Sequence, residues 1–321
     1  MVLTVTLNPL LEKKYFFKKI EGNNNRAYKE KYLAGGKGIN VSRQLNVLGI
    51  KNHALTFLGK NNGKILRSIL QTENINFSTI DTKAETREAT LIFDESRKKL
   101  STFFGINSDI SNSEIEKFII KLKKAISNSS IVLFSGSLPN DECSQIIEEG
   151  IKFCNQNDKI SILDSYGQNL EHQLSCSPTI IHNNLDELEN SLNIKLKSQK
   201  SVTDLLNNFY KKNIKLSFLT AGKDSTYASK SDFHYKIKNA RIEEKDSTGS
   251  GDAFVSGIIY GLEKSMVFND FVKLASALGF ANALSWDVCQ VKMEEAQKLL
   301  GKILITEIGK KYKVIDDSPT I

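Results

Sequence analysis

A chain of 321 residues, 40% of them hydrophobic, has enough apolar material for a sizeable core, and its length suits one large α/β domain. Its net charge of +7 comes from 44 lysines and arginines interleaved with 37 acidic residues, a pattern that argues against a nucleic-acid binder and agrees with small anionic substrates. No apolar run approaches a membrane span, no secretory leader pattern opens the chain, and cysteines at 143, 154, 176 and 289 have neither disulfide nor zinc spacing, so a reduced cytoplasmic setting is expected.

In chain order, VLTVTL (2–7) predicts a buried strand that ends at Asn8-Pro9, because proline cannot continue a central strand. Residues 10–33 are charged and weakly alternating, which suggests strands lying outside the main sheet. A helix is expected to start near Gly35-Gly36, with Val41, Leu45 and Leu48 at helical spacing and Gly49 as its stop. Strands at 53–58 and 75–80 flank a helix at 63–73. Residues 86–105 alternate around a charged turn, the signature of a hairpin with one wet face, and together with 10–33 they would form a lid.

From residue 110 onward helices and strands alternate: helix 111–127, strand 130–135, helix 141–156, strands 160–164 and 178–181, helices 184–192 and 201–212, strand 215–220. A hairpin at 224–238, helices at 250–264, 268–286 and 293–302, and an edge strand in the tail complete the series. The continuously apolar runs at 131–134 and 160–163 read as parallel strands covered on both faces. In such sheets ligands bind beyond the carboxyl ends of the strands. Asn8, Ser135 to Ser137, Asp164, His182 to Asn184 and Thr220 to Gly222 all follow strands and would line one edge of one cleft.

Residues 246–254, DSTGSGDAF, lead directly into an apolar helical segment. Glycines 249 and 251 leave the main chain uncovered at a helix start, where amide N–H groups and the helix dipole favour an anion. Asp252 falls in the first turn, placed to take a proton from a hydroxyl attacking a bound phosphate. An ordinary loop-to-helix junction, capped by Ser247 or Thr248, would read the same way. The segment is not a P-loop, and Phe254 stands where a dinucleotide fingerprint has its third glycine.

TLNP (6–9), GGKGINVSR (35–43), SGSLP (135–139), NLDE (184–187) and TGSGDAF (248–254) resemble, in order and approximate spacing, the motifs of the ribokinase-like (PfkB) carbohydrate kinases. The first two resemble in particular the branch acting on ketohexose phosphates. The resemblance implies a three-layer α/β/α sandwich with a mostly parallel central sheet and a small β-sheet lid from about 10–33 and 86–105, all within one domain of residues 1–321. It implies transfer of the ATP γ-phosphate, with Mg²⁺, to tagatose-6-phosphate or fructose-1-phosphate. Asp252 would be the base and Gly249, Ser250 and Gly251 the anion hole. Glu12, Gly35, Gly36, Asn40 and Ser137 would hold the sugar, and Arg26, Lys37 and Arg87 its phosphate. Asn184, Thr220, Gly222, Gly249, Gly251 and Asn282 would line the ATP site, and Asn184 and Glu187 would organise magnesium through water. A homodimer through the lid is expected, with no nucleic-acid or membrane partner.

The chain departs from the family's pattern at Glu12, where aspartate is usual, at His182-Asn183, which replace lysine and proline, at Ser225, and at Trp286-Asp287. His182 is read as structural. The alternatives are a kinase of an unphosphorylated sugar or nucleoside, or a catalytically weak sugar-phosphate or nucleotide sensor.

Overall fold

Apolar runs of five or six residues, too short for helices and flanked by turn residues, form the central strands, and successive side chains point to opposite faces. The computed structural model describes residues 1–222, 225–238 and 242–309. Its large sheet contains β1 (Val2–Thr6), β4 (Asn52–Leu58), β5 (Phe77–Asp81), β8 (Ile131–Ser135), β9 (Ile160–Asp164), β10 (Ile180–Asn184), β11 (Leu216–Ala221), β12 (Ser225–Lys230), β13 (Phe233–Lys238) and β14 (Leu304–Ile308). The spatial order is β14-β13-β12-β11-β10-β9-β8-β1-β4-β5. The strands from β5 to β11 pair in parallel, and β12, β13 and β14 add an antiparallel edge.

The two faces of this sheet are buried against different helices. Val2, Ile131, Leu133, Ile162, Ile180 and Phe218 face one core, which they share with α1 (Lys37–Val47), α8 (Ser250–Glu263), α9 (Phe268–Ala283) and α10 (Met293–Leu300). Their neighbours Leu3, Val5, Val132, Phe134, Leu163, Ile181 and Leu219 face the other. There they meet α3 (Asn112–Ser127), α4 (Ser144–Gln156), α5 (Leu170–Ser175), α6 (Leu185–Leu192) and α7 (Gln199–Lys211). Period-two alternation thus builds a three-layer α/β/α sandwich.

A second, four-stranded sheet stands apart, in the order β3 (Lys29–Gly35), β2 (Leu10–Phe17), β6 (Arg87–Asp94) and β7 (Lys99–Phe104). Its root is apolar: Leu11 and Ala34 pack with Ile39, Ala54, Leu58 and the Leu66 and Leu70 side chains of α2 (Asn61–Thr72). The outer part is wet. Tyr28, Tyr32, Phe103 and Phe104 are exposed there.

The expected elements recur with small shifts. β3 runs on to Gly35, so α1 begins at Lys37 with Gly36 as N-cap at φ 117°, a conformation that favours glycine. β10 extends to Asn184, which brings His182 and Asn183 into the sheet rather than the following loop. α9 stops at Ala283, leaving Trp286 outside it, and the short α5 has too few residues to carry a periodic signal. The part of the predicted tail beyond residue 309 lies outside the described residues. Among the described residues, no helix is long and apolar enough to cross a membrane.

α8 packs against α9 through bare backbone. A Cβ on Gly257 would lie about 3.0 Å from the Ala275 side chain and closer still to its Cα. Gly257→Ala is expected to cost about 1–3 kcal/mol despite its better helix propensity, because the obstacle is main chain. Denaturant melting at constant m-value checks this; unchanged stability would mean that the two helices can separate freely.

Candidate active site

The carboxyl ends of β1, β8, β9, β10 and β11 converge with the N-termini of α1 and α8 on a cleft of about 1020 Å³. Lys37, Asn40, Arg87, Ser137, Asn184, Glu187, Thr220, Gly222, Gly249, Ser250, Gly251 and Asp252 all line it, as does Gly36. Sequence positions more than two hundred residues apart meet here because, apart from Arg87 at the start of β6, each follows a strand or lies in the first turns of a helix on the same edge.

The turn at 248–251, expected to cradle a phosphate, forms as its glycines require. Gly249 is the N-cap of α8 at φ 77°, and a Cβ there would collide with Val288. Ser250 and Gly251 open the helix, so their amides belong to its unpaired first turn. Asn282 does not line the cleft wall. It braces the cradle from behind, donating from Nδ2 to the Thr248 carbonyl at 2.8 Å and to Ser250 Oγ at 3.2 Å, while its Oδ1 accepts from the Cys289 amide at 2.8 Å.

Asp252, in the first turn of α8, is only 5% exposed. Burial raises its pKa to about 6, against the opposing pull of Lys37, and Asp164 pushes in the same direction as burial. Asn40 Nδ2 donates to Oδ2 at 2.8 Å, which favours the ionised form. Oδ1 takes no hydrogen bond from any described residue. The carboxylate therefore holds one oxygen fixed and one available.

Lys37 sits at the start of α1, where the helix dipole disfavours a cation. Carboxylates hold it there, with Glu187 Oε2 at 3.1 Å and Asp164 Oδ1 at 3.6 Å, and its ammonium lies 4.8 Å from the Tyr166 ring. Burial alone would lower its pKa, but Asp164, Glu187 and Asp252 together hold it well above the ordinary lysine value. Asp164 is itself buried and would be raised by that burial; Lys37, His182 and Ser135 instead keep it low. His182 Nδ1 is 3.0 Å from Asp164 Oδ1, and Ser135 Oγ donates to Oδ2 at 2.7 Å. His182 lines the cleft, and its Cε1 lies 3.3 Å from where Gly251 would carry a Cβ, so it supports the cradle directly.

Arg87 opens β6 and reaches across to Asn107 Oδ1 at 3.3 Å and the Asn8 carbonyl at 3.5 Å, with its Nε buried and unsatisfied. No carboxylate of the described residues pairs with it, and burial lowers its pKa. Asn8 Nδ2 donates to Ser137 Oγ at 3.0 Å and to Asn107 Oδ1 at 3.1 Å. Asn184 caps α6 through the Asp186 amide at 2.9 Å, next to the Glu187 that pairs with Lys37.

Three expected ligands of the sugar or its phosphate lie elsewhere, and one of them, Gly35, lines neither cavity. Arg26 is exposed in the loop between β2 and β3 and lines neither cavity. Glu12 lines a second cavity of about 350 Å³ with Lys14, Arg43, Asp246 and Trp286, and Asn40 is shared between the two spaces. Gly35 gives Glu12 its room, since a Cβ there would collide with Oε1. Asn8 lines the cleft as its place just beyond β1 implied, whereas sequence reasoning passed over Tyr166 and Arg43, which leave no local signal.

Glu12 carries a pKa raised to about 7, chiefly by burial, with Arg43 and Lys14 opposing. A folded pKa above the unfolded one means that the fold prefers the neutral acid, so the penalty is absent below the unfolded value and complete above pH 7. Glu12→Gln is expected to stabilise the protein by about 1–3 kcal/mol at pH 8, with most of the gain gone at pH 5. Denaturant midpoints at the two pH values test this; equal gains at both would show that the shift is not the cause.

Residues 4–290 match the family model described as pfkB family carbohydrate kinase. Among curated proteins the chain is 30% identical over 314 residues to 1-phosphofructokinase of Borreliella burgdorferi, covering 96% of this chain and 99% of that protein. It is 28% identical over 312 residues to tagatose-6-phosphate kinase of Staphylococcus epidermidis, covering 96% and 100%. Among solved structures, a possible 1-phosphofructokinase from Thermotoga maritima superposes with a TM-score of 0.87 at 25% identity, covering 96% of this chain and 100% of that one. The tetrameric inhibited form of phosphofructokinase-2 from Escherichia coli has the same fold, with a TM-score of 0.84 at 22% identity and coverage of 94% and 98%.

Proposed function

The chain belongs to the pfkB family of carbohydrate kinases, enzymes that phosphorylate sugars, and we propose that its acceptor is a ketohexose monophosphate, tagatose-6-phosphate or fructose-1-phosphate, converted to the bisphosphate by ATP in the cytoplasm. One observation carries this choice of acceptor. Arg87 is a partly buried guanidinium without a carboxylate partner among the described residues, in the same cleft as Asp252. A planar fork without a counter-charge inside a cleft suits a phosphate that the substrate already carries.

In the proposed reaction the acceptor hydroxyl gives its proton to Asp252 as its oxygen bonds to the γ-phosphorus, and the bond to the β-phosphate oxygen breaks to release ADP. Amides of Gly249, Ser250 and Gly251, at the positive end of α8, stabilise charge on the transferring group. Lys37 adds a positive charge opposite them. Asn40 and Ser137 orient the sugar, and Thr220 and Gly222 border the nucleotide. Among the described residues there is no cluster of three or more side chains able to cage a metal. Asn184 and Glu187, both lining the cleft, would hold waters of a magnesium ion bound chiefly by nucleotide phosphates. Bound there, the ion neutralises phosphate charge.

Closure of the small sheet over the cleft would exclude water that could hydrolyse ATP. Its exposed Tyr28, Tyr32, Phe103 and Phe104 support pairing of two such sheets in a homodimer. In that arrangement Arg26 would sit at the interface.

Coupled ADP release from MgATP, measured with tagatose-6-phosphate, fructose-1-phosphate, fructose-6-phosphate and fructose, tests the proposal. Turnover is expected only with phosphorylated ketohexoses. Asp252→Asn should fold and lose about 10²–10⁴ in kcat. Arg87→Met should raise KM for the sugar phosphate about 10–100-fold, the loss of one charge-assisted contact. Turnover of free fructose that is unaffected by Arg87→Met would instead favour the kinase of an unphosphorylated sugar.

A further inference from the structure

An asparagine amide has nearly the same shape whichever way it is turned, yet one end donates and the other accepts. Facing a catalytic carboxylate, the wrong end sets a lone pair against a negative charge. Asn40 meets Asp252 with its donor. What fixes that choice lies three residues further along α1, on the same helix face.

Arg43 Nη1 donates to Asn40 Oδ1 at 2.7 Å. A guanidinium has only donors, so this contact admits the amide oxygen and excludes the amide nitrogen, which then must face Asp252. Arg43 is itself fixed by two partners. Its Nε and Nη2 lie 2.9 and 2.8 Å from Glu73 Oε2, and Nη2 also donates to the Ala34 carbonyl at 2.6 Å. The side chain is buried, at 8% exposure. Glu73, at the C-terminal end of α2, and Ala34, at the root of the small sheet, thus lock a guanidinium that locks an amide that holds the base.

We infer that Arg43 is a positioning residue for the reaction: through the Asn40 amide it keeps a hydrogen-bond donor on Asp252 and so keeps the base ionised. This rests on the reading of Asp252 as the base. Without Arg43 the Asn40 amide is free to turn, and each turned molecule has a carboxylate that protonates more readily. The consequence is specific. Activity falls where Asp252 is partly protonated and is spared where it is fully ionised.

The test is the pH dependence of kcat/KM for MgATP and the preferred sugar phosphate, in wild type, Asp252→Asn, Arg43→Lys and the double variant R43M/E73M. The double variant removes both members of the pair, so neither charge is left uncompensated. A second double variant, R43Q/E73Q, keeps polar groups in the buried site but is too short to reach Asn40, and either folded double variant serves. Thermal melting establishes folding. The expected result is an acid limb moved upward by about half to one pH unit, a roughly three- to tenfold loss at pH 5.5 with near parity at pH 8.5. Arg43→Lys should fall between. In an Asn40→Ala background the Arg43 change should bring no further shift, since the amide it acts through is gone.

Inactive Asp252→Asn together with a folded double variant whose acid limb matches wild type would overturn the inference and leave the base in place. A loss of equal size at every pH would also overturn it, because that is what a merely structural arginine produces. Normal turnover by folded Asp252→Asn would remove the base, and the inference with it.

Discussion

Asp252 is almost wholly buried, yet the proposed chemistry needs its carboxylate ionised, and most of the surrounding architecture can be understood as a response to that conflict. Burial and the neighbouring Asp164 drive the pKa upward to about 6, while Lys37 and the Asn40 donor oppose them. A value just below neutrality suits a general base, which has to be mostly ionised and still accept a proton readily. The N-terminus of α8 contributes twice, favouring the carboxylate in its first turn and offering amides to a phosphate alongside it. The tight glycine contact with α9 fixes where that helix end points.

Two partly buried ionic assemblies act on this carboxylate. One runs from Glu73 through Arg43 to Asn40, linking α2 and the root of the small sheet to Asp252. The other joins Glu187, Lys37, Asp164, His182 and Ser135 beneath the cradle. Buried charge pairs contribute little net stability because desolvation offsets their attraction. Their value here lies in orientation. Glu12 belongs to the same economy: its carboxyl, folded against Gly35 and raised to about 7, is poised between charge states in the smaller cavity beside Asn40.

Much of this was legible in the sequence where the signal is local. The cradle needs glycines beside a helix start, and TGSGDAF has them; the alternation of apolar strands and periodic helices gives the parallel sheet; strand ends place Ser137, Asn184 and Thr220 on one edge. Other features depend on distant partners and leave no local mark. Glu73 and Arg43 are thirty positions apart and look like surface charges on two helices. Asn282 reads as one more polar residue of an apolar helix until its amide is seen holding Thr248 and Ser250. His182, read as structural and expected at the cleft edge just past its strand, lies within the strand itself, because β10 runs three residues further than its apolar run, and Asp164 on the neighbouring strand orients its ring. A propensity argument ends a strand at its first polar residue, whereas a ladder continues as long as its partner strand does.

The claim at the centre is that Asp252 is a buried carboxylate whose proton leaves near pH 6. Carbon-13 NMR of aspartate carboxyl groups, with the Asp252 resonance assigned through Asp252→Asn, measures that titration in the folded protein without relying on turnover. The account predicts a midpoint about two units above the ordinary aspartate value of 3.8. A midpoint at or below 4 would contradict it, because Asp252 would then be an ordinary solvated or ion-paired carboxylate with little affinity for a substrate proton.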